Sequence, residues 1–454
     1  MRVQRFFWRR FGCAALLACA SALPVPQAEA APIAVSTHTL ANGMTILVQE
    51  DPSIPNIACY TFYKVGSRNE HEGITGLSHF FEHMMFNGAQ KYGKGEFDSA
   101  LDNAGGHNNA YTTRDDTVYQ DWTPDSALEL VFDLEADRIQ NLAFLPDVVN
   151  SERQVVYSER RLRTDNSNEG RLSEALNAAA FESSPYHWPV VGWPSDIESW
   201  TIDDLKTYHA MAYSPTNATV VVVGNVKAAD VFRLADQYFA PIPEHAPPPP
   251  VRTKEMPQTG ERRVVVNKFA QLPLLLIGYH TVAAKDPDLY PLMVARAILS
   301  AGQSSRLYRA LVDTQLALEV DSSLRPTLDP GLFTLEAQPR QGVKPEAVEA
   351  VIYAELDKLK STPISEHELT KARNQIITQH FRQLETISGR AQEIGAAQVF
   401  FGDWQHVNQE EELVNAVTAA DVQRVMQKYF APTNRTVATL IPDTTPEPAP
   451  KEKQ

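Results

Sequence analysis

The chain has 454 residues, of which 43% are hydrophobic and 21% are charged, close to the usage of ordinary globular proteins. This composition excludes a fibrous, collagen-like or wholly disordered protein. The length exceeds the roughly 250–300 residues at which a single hydrophobic core stops growing, and it therefore indicates two or more domains. The formal net charge of −15 argues against a nucleic-acid partner, because proteins that bind phosphate backbones usually display basic surfaces.

The N-terminal segment has the pattern of an export signal. Arginines within residues 1–10 precede an apolar stretch over residues 11–23, and Ala28-Glu29-Ala30 matches the site that signal peptidase cleaves. The apolar stretch is shorter than the ~20 residues of a membrane-spanning helix, and no later apolar run is long enough to be one. We therefore expect a signal peptide over residues 1–30, cleaved near Ala30, and an exported, periplasmic protein without a transmembrane segment in its mature chain. The alternatives are an uncleaved anchor, twin-arginine export, or a lipid anchor at Cys19.

Beyond residue 30, the pattern of apolar and β-branched residues predicts strands near both ends of each half of the chain, with helices between them. The predicted strands cover residues 45–49, 59–65 and 218–223 in the first half, and residues 263–266 and 274–280 in the second. The predicted helices include residues 77–86, 126–141 and 146–162. This order predicts an α+β fold, in which helices pack on one face of a mainly antiparallel sheet.

The two halves carry an internal repeat. In each half a threonine (Thr201 or Thr418) begins a helix with an aspartate three residues later, and a Pro-Thr-Asn turn and a strand follow. Thr201 and Asn217 are 16 positions apart, as are Thr418 and Asn434, and the two copies are offset by 217 residues. The offset is much longer than a solenoid repeat and indicates a duplicated domain.

A proline-rich stretch separates the two halves. Residues 247–250 are all proline, and polyproline geometry forms a semi-rigid spacer. We therefore predict an N-terminal domain over residues 35–240, a linker over residues 241–260 and a homologous C-terminal domain over residues 261–442. The tail over residues 443–454 is rich in Pro, Thr, Glu and Lys and is predicted to be disordered.

The segment His79-Phe80-Phe81-Glu82-His83 is the sharpest functional motif. Two histidines four positions apart lie on one face of a helix, so both imidazoles can bind one metal ion, while Glu82 remains free to hold a water. Two histidines, a distant carboxylate and an open position form a catalytic zinc site, and H-x-x-E-H is the inverted zincin signature. The alternative is that the two histidines merely pack in a core or face solvent.

The distant carboxylate is expected on the helix predicted over residues 146–162. This helix contains Glu152 and Glu159, which are seven residues apart, or two helical turns, and therefore share a face. Alone, such a pair is more typical of a solvated charge stripe. In combination with the motif at residues 79–83, it favours a role in the metal site.

With these motifs, the chain resembles the pitrilysin/insulinase family of zinc metallopeptidases, in particular its two-domain bacterial and mitochondrial-processing-peptidase-like members. The resemblance covers about residues 35–442 and includes the family's E-R-x-V-V-x-x-E helix, here Glu152 to Glu159. It implies that His79, His83 and Glu159 bind Zn²⁺. It further implies that Glu82 is the general base of catalysis and that Glu152 supports the catalytic site.

A further match is the segment over residues 105–112, which in the family is a sheet-edge strand that pairs with the substrate backbone. Such an edge offers unpaired N–H and C=O groups to an extended peptide. The resemblance implies that the substrate-binding residues are Gly106, Asn108, Asn109, Ala110 and Tyr111. From the residues alone, the segment equally fits a hairpin strand that begins at a glycine.

The second half departs from the family pattern. Ser305-Arg306-Leu307-Tyr308 is present, but Val312 and Glu319 stand where active members carry an arginine and a tyrosine that help hold the substrate and stabilise the oxyanion. Neither residue donates a hydrogen bond to an oxyanion at neutral pH, and loss of one such donor costs roughly 10²–10³ in rate. We therefore hypothesise that a homologous partner subunit supplies both groups, in a heterodimer rather than a homodimer.

The leading hypothesis is a zinc-dependent endopeptidase that hydrolyses peptides or unfolded protein segments inside a dimeric chamber, with Glu82 taking the proton of the attacking water. The acidic net charge favours basic peptides as substrates. The alternative is a non-catalytic structural or assembly subunit of a peptidase-like complex. Such subunits usually lose the zinc motif, which this chain retains.

Overall fold

The structure, a computed structural model, describes residues 32–443. The predicted signal peptide and all but the first residue of the predicted tail lie outside these residues. Asp443, where the disordered tail was predicted to begin, is instead the last residue of a strand, because that strand stays paired with its neighbour to its end. Residues 33–443 belong to one compact unit.

The strands of the first half form a single, mainly antiparallel sheet. They are β1 (Ser36–Thr39), β2 (Thr45–Glu50), β3 (Asn56–Tyr63), β4 (His107–Thr112), β5 (Thr117–Pro124) and β6 (Ala218–Gly224). The helices are α1 (Leu77–Met84), α2 (Glu96–Asn103), α3 (Leu128–Asn141), α4 (Pro146–Arg160), α5 (Asn168–Ala180), α6 (Pro194–Ser199), α7 (Ile202–Ala212) and α8 (Ala228–Tyr238). The strand order is β1-β2-β6-β3-β5-β4, and only β2 and β6 pair in parallel.

The second half repeats this plan with a smaller sheet. Its strands are β7 (Arg262–Phe269), β8 (Leu274–His280), β9 (Ala317–Ser323), β10 (Leu332–Pro339) and β11 (Arg435–Asp443). Its helices are α9 (Leu289–Ser300), α10 (Pro345–Ser361), α11 (Glu366–Leu384), α12 (Ile387–Phe401), α13 (Glu410–Ala416) and α14 (Ala419–Tyr429). The strand order is β7-β11-β8-β10-β9, with β7 and β11 parallel and the other pairs antiparallel.

The predicted α+β class with two duplicated domains is confirmed by these two sheets. The repeat is also visible locally, because Thr201 and Thr418 each form a capping box with the aspartate three residues later. The strand predicted over residues 59–65 is shifted to Asn56–Tyr63, since the chain leaves the sheet where the N–H of Lys64 bonds the Asn217 carbonyl. Residues 243–261 contain no helix or strand, and the predicted domain bounds stay a prediction.

Each half packs its own helices on one face of its sheet, and the other half covers the opposite face. In the first half, α1 and α7 bury residues such as Phe80 and Leu205 against the sheet. On the opposite face, Phe62 and Val221 pack with Ile394 of α12, which belongs to the second half. The sequence pattern predicts only the first of these two layers.

The exchange is reciprocal. Helix α5 of the first half places Leu172 and Leu176 against Leu276 and Leu440 of the second sheet. Burial of apolar surface on both faces therefore locks the two halves together. None of the helices within residues 32–443 combines the length and apolar content needed to span a bilayer.

Candidate active site

The helix that carries the two histidines begins at a crowded point of the fold. Helix α1 follows Gly76, whose φ of 90° lies in the left-handed region, and a Cβ there would lie 2.4 Å from the carbonyl oxygen of Val191. The buried Glu70 carboxylate accepts hydrogen bonds from the backbone N–H groups of Gly76 and Ser78, both at 2.7 Å. These contacts occupy the helix N-terminus and hold the start of α1 in one position.

The side chains of His79, His83 and Glu159 lie close together. Glu159 Oε2 is 3.6 Å from His79 Nε2 and 3.2 Å from His83 Nε2. One ligand atom from each side chain lies within 4.8 Å of the other two, and within residues 32–443 no other group of His, Cys, Asp or Glu meets that criterion. Helix α4 contributes the glutamate from its last turn. The two separated segments of the sequence therefore meet at one point.

Glu152, two turns earlier on α4, contacts one of these histidines from the other side. Its Oε1 lies 2.8 Å from His83 Nδ1. With Nδ1–H as the donor to this carboxylate, Nε2 keeps its lone pair and faces Glu159. Two imidazole nitrogens and one carboxylate oxygen are the ligand set of a catalytic zinc ion with an open position, so these residues fit zinc.

The carboxylates determine the charge of the imidazole between them. Burial lowers the pKa of His83, but its hydrogen bonds with Glu152 and Glu159 outweigh burial and raise the pKa to about 9. Hydrogen bonds with His79 and His83 in turn hold the pKa of Glu159 well below its usual range. The hydrogen bond with His83 also lowers the pKa of Glu152. The site therefore stabilises positive charge, as binding of a divalent cation requires.

Glu82 lies between the two histidines in sequence, but its carboxylate has a different partner. Its Oε2 accepts a 2.6 Å hydrogen bond from Thr112 Oγ1. Thr112 is the last residue of β4, and among the strands of residues 32–443 β4 pairs only with β5, so its other edge is open. Glu82 is therefore adjacent to an edge that an extended peptide can join.

The predicted substrate-binding residues lie along β4 or just before it. Successive side chains of a strand alternate between its two faces. Asn108 and Ala110 consequently share the face of Thr112, which contacts Glu82. Asn109 and Tyr111 lie on the opposite face.

Some of these residues also have partners within the fold. Asn108 Nδ2 donates a 2.9 Å hydrogen bond to Asp98, and the Tyr111 hydroxyl accepts one of 2.7 Å from Gln392 of α12. Gly106 precedes the strand, and a Cβ there would lie 2.5 Å from a side-chain atom of β5. The edge strand is thus held in place by neighbours from both halves of the chain.

The two positions at which the sequence departs from the family lie elsewhere. A cavity of about 310 Å³ contains His79 and Glu159, and neither Val312 nor Glu319 lines it. Val312 ends a π-helical turn (Tyr308–Val312), and Glu319 is an exposed residue of β9, the edge strand of the second sheet. This chain therefore brings no hydrogen-bond donor from these two positions to the cavity.

The sequence does not predict three further neighbours of the site. Arg163 Nη1 lies 3.0 Å from Glu159 Oε1, and the i, i+4 spacing of this acid and base is a signal that identifies such a pair. Thr112 ends a strand that the family resemblance already includes. Glu70 carries no local signal, because its contact with α1 exists only in the folded chain.

Comparisons with known proteins find matches for both halves of the chain. The family model described as "Insulinase (Peptidase family M16)" matches residues 45–192, and the model described as "Peptidase M16 inactive domain" matches residues 199–376. The chain is 35% identical over 410 residues to the zinc protease PqqE of Helicobacter pylori, and the matched region covers 89% of this chain and 92% of that protein. It is 27% identical over 408 residues to the mitochondrial-processing peptidase subunit beta of Lentinula edodes, with 86% of each chain covered.

A solved structure has the same fold. The crystal structure of a protease from Helicobacter pylori superposes with a TM-score of 0.87 at 33% identity, covering 90% of this chain and 100% of that one. Fold and relatives together define a family of zinc peptidases. The chain belongs to the insulinase family, peptidase family M16, and the resemblance inferred from its motifs is confirmed.

Proposed function

We propose that this protein is a zinc-dependent endopeptidase that hydrolyses peptides or unfolded protein segments. The observation that supports this activity most directly is the convergence of His79, His83 and Glu159 beside Glu82 and the open edge of β4. Relatives named zinc proteases support the same activity at the level of the family.

Glu82 is the general base of the proposed reaction. His79, His83 and Glu159 would hold Zn²⁺, which when bound would supply polarisation of the scissile carbonyl and a more acidic water. Glu82 accepts a proton from the attacking water and donates it to the leaving amine nitrogen. The 2.6 Å hydrogen bond from Thr112 keeps the Glu82 carboxylate beside β4 during this transfer.

The other predicted site residues have supporting roles. Glu152 acts through its hydrogen bond to His83, which orients the imidazole. An extended substrate adds to the edge of β4 through main-chain hydrogen bonds, which place few demands on its side chains. The residues proposed to form this substrate-binding edge are Gly106, Asn108, Asn109, Ala110 and Tyr111.

The proposal includes a homologous partner subunit and a dimeric chamber. Val312 and Glu319 supply no donor to the developing oxyanion, so a partner that carries an arginine and a tyrosine at these positions would complete the site. A heterodimer is therefore expected in preference to a homodimer. The N-terminal sequence supports action after export to the periplasm, with residues 1–30 removed.

The test compares the purified chain with its Glu82→Gln variant, each alone and with a homologous partner of similar length that lacks H-x-x-E-H. We expect both forms to bind one zinc ion and only the wild type to hydrolyse an unfolded peptide, with the partner increasing the rate. Full activity of the wild type as a homodimer would refute the need for a partner. Zinc binding without hydrolysis, even with the partner present, would instead support the alternative of a non-catalytic assembly subunit.

A further inference from the structure

A cavity of about 800 Å³ lies between the two halves of the chain and adjoins the candidate active site. Its walls include the end of β4 in the first half and residues just after β9 in the second. It shares Thr112 and Arg114 with the smaller cavity of about 310 Å³ that contains His79 and Glu159. A peptide bound along β4 would therefore pass from one cavity into the other.

Arg114 has an N–H group without an acceptor in the part of the chain that the structure describes. Its Nε is buried and has no hydrogen-bond partner within residues 32–443, and its guanidinium lies over the ring of Tyr186, 5.8 Å from the centroid. Burial lowers the pKa of Arg114, but an arginine keeps its charge at neutral pH. Because a buried N–H donor without an acceptor is costly, the Nε of Arg114 indicates an acceptor that the described chain does not supply.

A second guanidinium lines the same cavity from the other half of the chain. Arg325 is exposed, and within the described residues its side chain forms no hydrogen bond or ion pair. It lies close enough to Arg114 for its charge to contribute to the lowered pKa of that residue. Two like charges at one cavity repel each other, and an anion bound between them would relieve this repulsion.

The carboxylates that line the cavity, Asp115 and Asp116, accept hydrogen bonds from other groups, although the charge of Asp115 also acts on Arg114. Asp115 accepts a 2.6 Å hydrogen bond from the Tyr186 hydroxyl and lies 3.3 Å from Nε of Arg68. Asp116 accepts a hydrogen bond from the Thr113 hydroxyl. The cavity is therefore lined by two arginines and two aspartates, and N–H groups of the arginines, at Nε of Arg114 and on Arg325, remain without acceptors within the described residues.

We infer that Arg114, together with Arg325, binds a carboxylate of the peptide substrate. This inference rests on the proposed function and adds a chemical class of substrate to it. Arg114 lies in the turn that joins β4 to β5, two positions after Thr112, which contacts Glu82. The bound carboxylate therefore lies near the end of β4 that contacts Glu82.

The carboxylate has two possible sources, which depend on the direction of the peptide. A peptide antiparallel to β4 presents an Asp or Glu side chain to Arg114 on the N-terminal side of the scissile bond. A peptide parallel to β4 presents its C-terminal carboxylate there. Either source differs from the preference for basic peptides that the net charge alone predicts.

The experiment measures peptide binding without hydrolysis. The zinc-loaded, full-length Glu82→Gln chain is titrated with short, fluorescently labelled, unstructured peptides, and binding is followed by anisotropy. One series moves a single Asp or its Asn counterpart through each position, and a second compares a free C-terminal carboxylate with an amide. We expect the carboxylate form of one pair to bind about 10-fold more tightly or better, as a charge-assisted hydrogen bond predicts.

Variants of the arginines assign the effect. Adding Arg114→Gln should remove the preference, and Arg325→Gln, at an exposed position, should reduce it. Arg114→Lys keeps the positive charge and should retain part of the preference for the carboxylate peptide. Arg233→Gln, at an exposed residue of α8, is the matched control and should leave the preference unchanged.

Two results would overturn the inference: equal binding of every carboxylate peptide and its neutral counterpart, or a preference that survives when both arginines are replaced. Failure of the proposed function is observed separately. It would appear as an absence of hydrolysis by the wild-type chain, with its partner, of peptides that the Glu82→Gln chain binds.

Discussion

Replacing Gly395 by alanine tests the packing of each half on the sheet of the other. Gly395 lies in α12, and a Cβ at this position would be 2.0 Å from Cε2 and 2.3 Å from Cζ of Phe62. Phe62 is fully buried and belongs to β3, which is paired on both sides within the first sheet. Neither the ring nor the helix can therefore move aside without disturbing the core.

Two effects of opposite sign determine the magnitude. Alanine is more favourable than glycine inside a helix by roughly 1 kcal/mol. Overpacking a filled core costs about 1–3 kcal/mol and occasionally more, and a 2.0 Å approach to a rigid ring requires displacement of the helix itself. We therefore expect packing to dominate and Gly395→Ala to lower the free energy of unfolding by about 2 kcal/mol.

Urea unfolding of the metal-free chain, followed by near-UV circular dichroism, measures this change. Gly260→Ala is the matched control, because a Cβ at that position has no neighbour within 4 Å and the change should be nearly neutral. Adding Phe62→Leu to Gly395→Ala removes the conflicting ring, so the double variant should lose less stability than the sum of the two single changes. A Gly395→Ala chain at least as stable as the wild type would refute the packing of α12 on the first sheet.

Three further predictions concern the site and its supports. Burial lowers the pKa of His209 to about 4, below the 6.5 of the unfolded chain, so stability is lost as the pH falls through this window. At pH 5 the free energy of unfolding is therefore lower by about 2 kcal/mol, and in urea unfolding of the metal-free chain His209→Phe should remove this loss. A variant that loses as much stability in acid as the wild type would contradict the role of His209. Glu152→Gln removes the charge that supports His83 and should weaken zinc binding by about 10- to 100-fold in chelator competition at alkaline pH, where protons do not compete; the exposed Asp147→Asn on the same helix should have no effect. Gly76→Ala places a side chain at a left-handed φ and against the backbone of Val191, so it should lower the free energy of unfolding by about 2 kcal/mol or more and weaken zinc binding. A variant with the urea midpoint of the wild type would contradict the crowded start of α1.

The parts of the fold and site that the sequence predicts are those with local signals. The capping boxes at Thr201 and Thr418, and the spacing of His79 and His83, depend on residues a few positions apart on one helix. The position of Glu159 follows from a helical pattern together with a family motif. These features are encoded within single segments, so one sequence is enough to predict them.

The remaining features depend on tertiary contacts. A strand buried on both faces, such as the one that contains Phe62, does not reveal whether its second face meets its own half or the other one. The contact of Glu70 with the start of α1 and the lack of an acceptor for Nε of Arg114 within the described residues likewise follow from segments that meet only in the folded chain. These features require the structure.

Anomalous X-ray scattering at the zinc absorption edge, from crystals of the zinc-loaded chain, tests the proposed metal centre most directly. We predict one strong peak about 2.0–2.2 Å from Nε2 of His79, from Nε2 of His83 and from a carboxylate oxygen of Glu159. The absence of a peak at this position, or a zinc ion bound by other residues, would contradict the proposed active site.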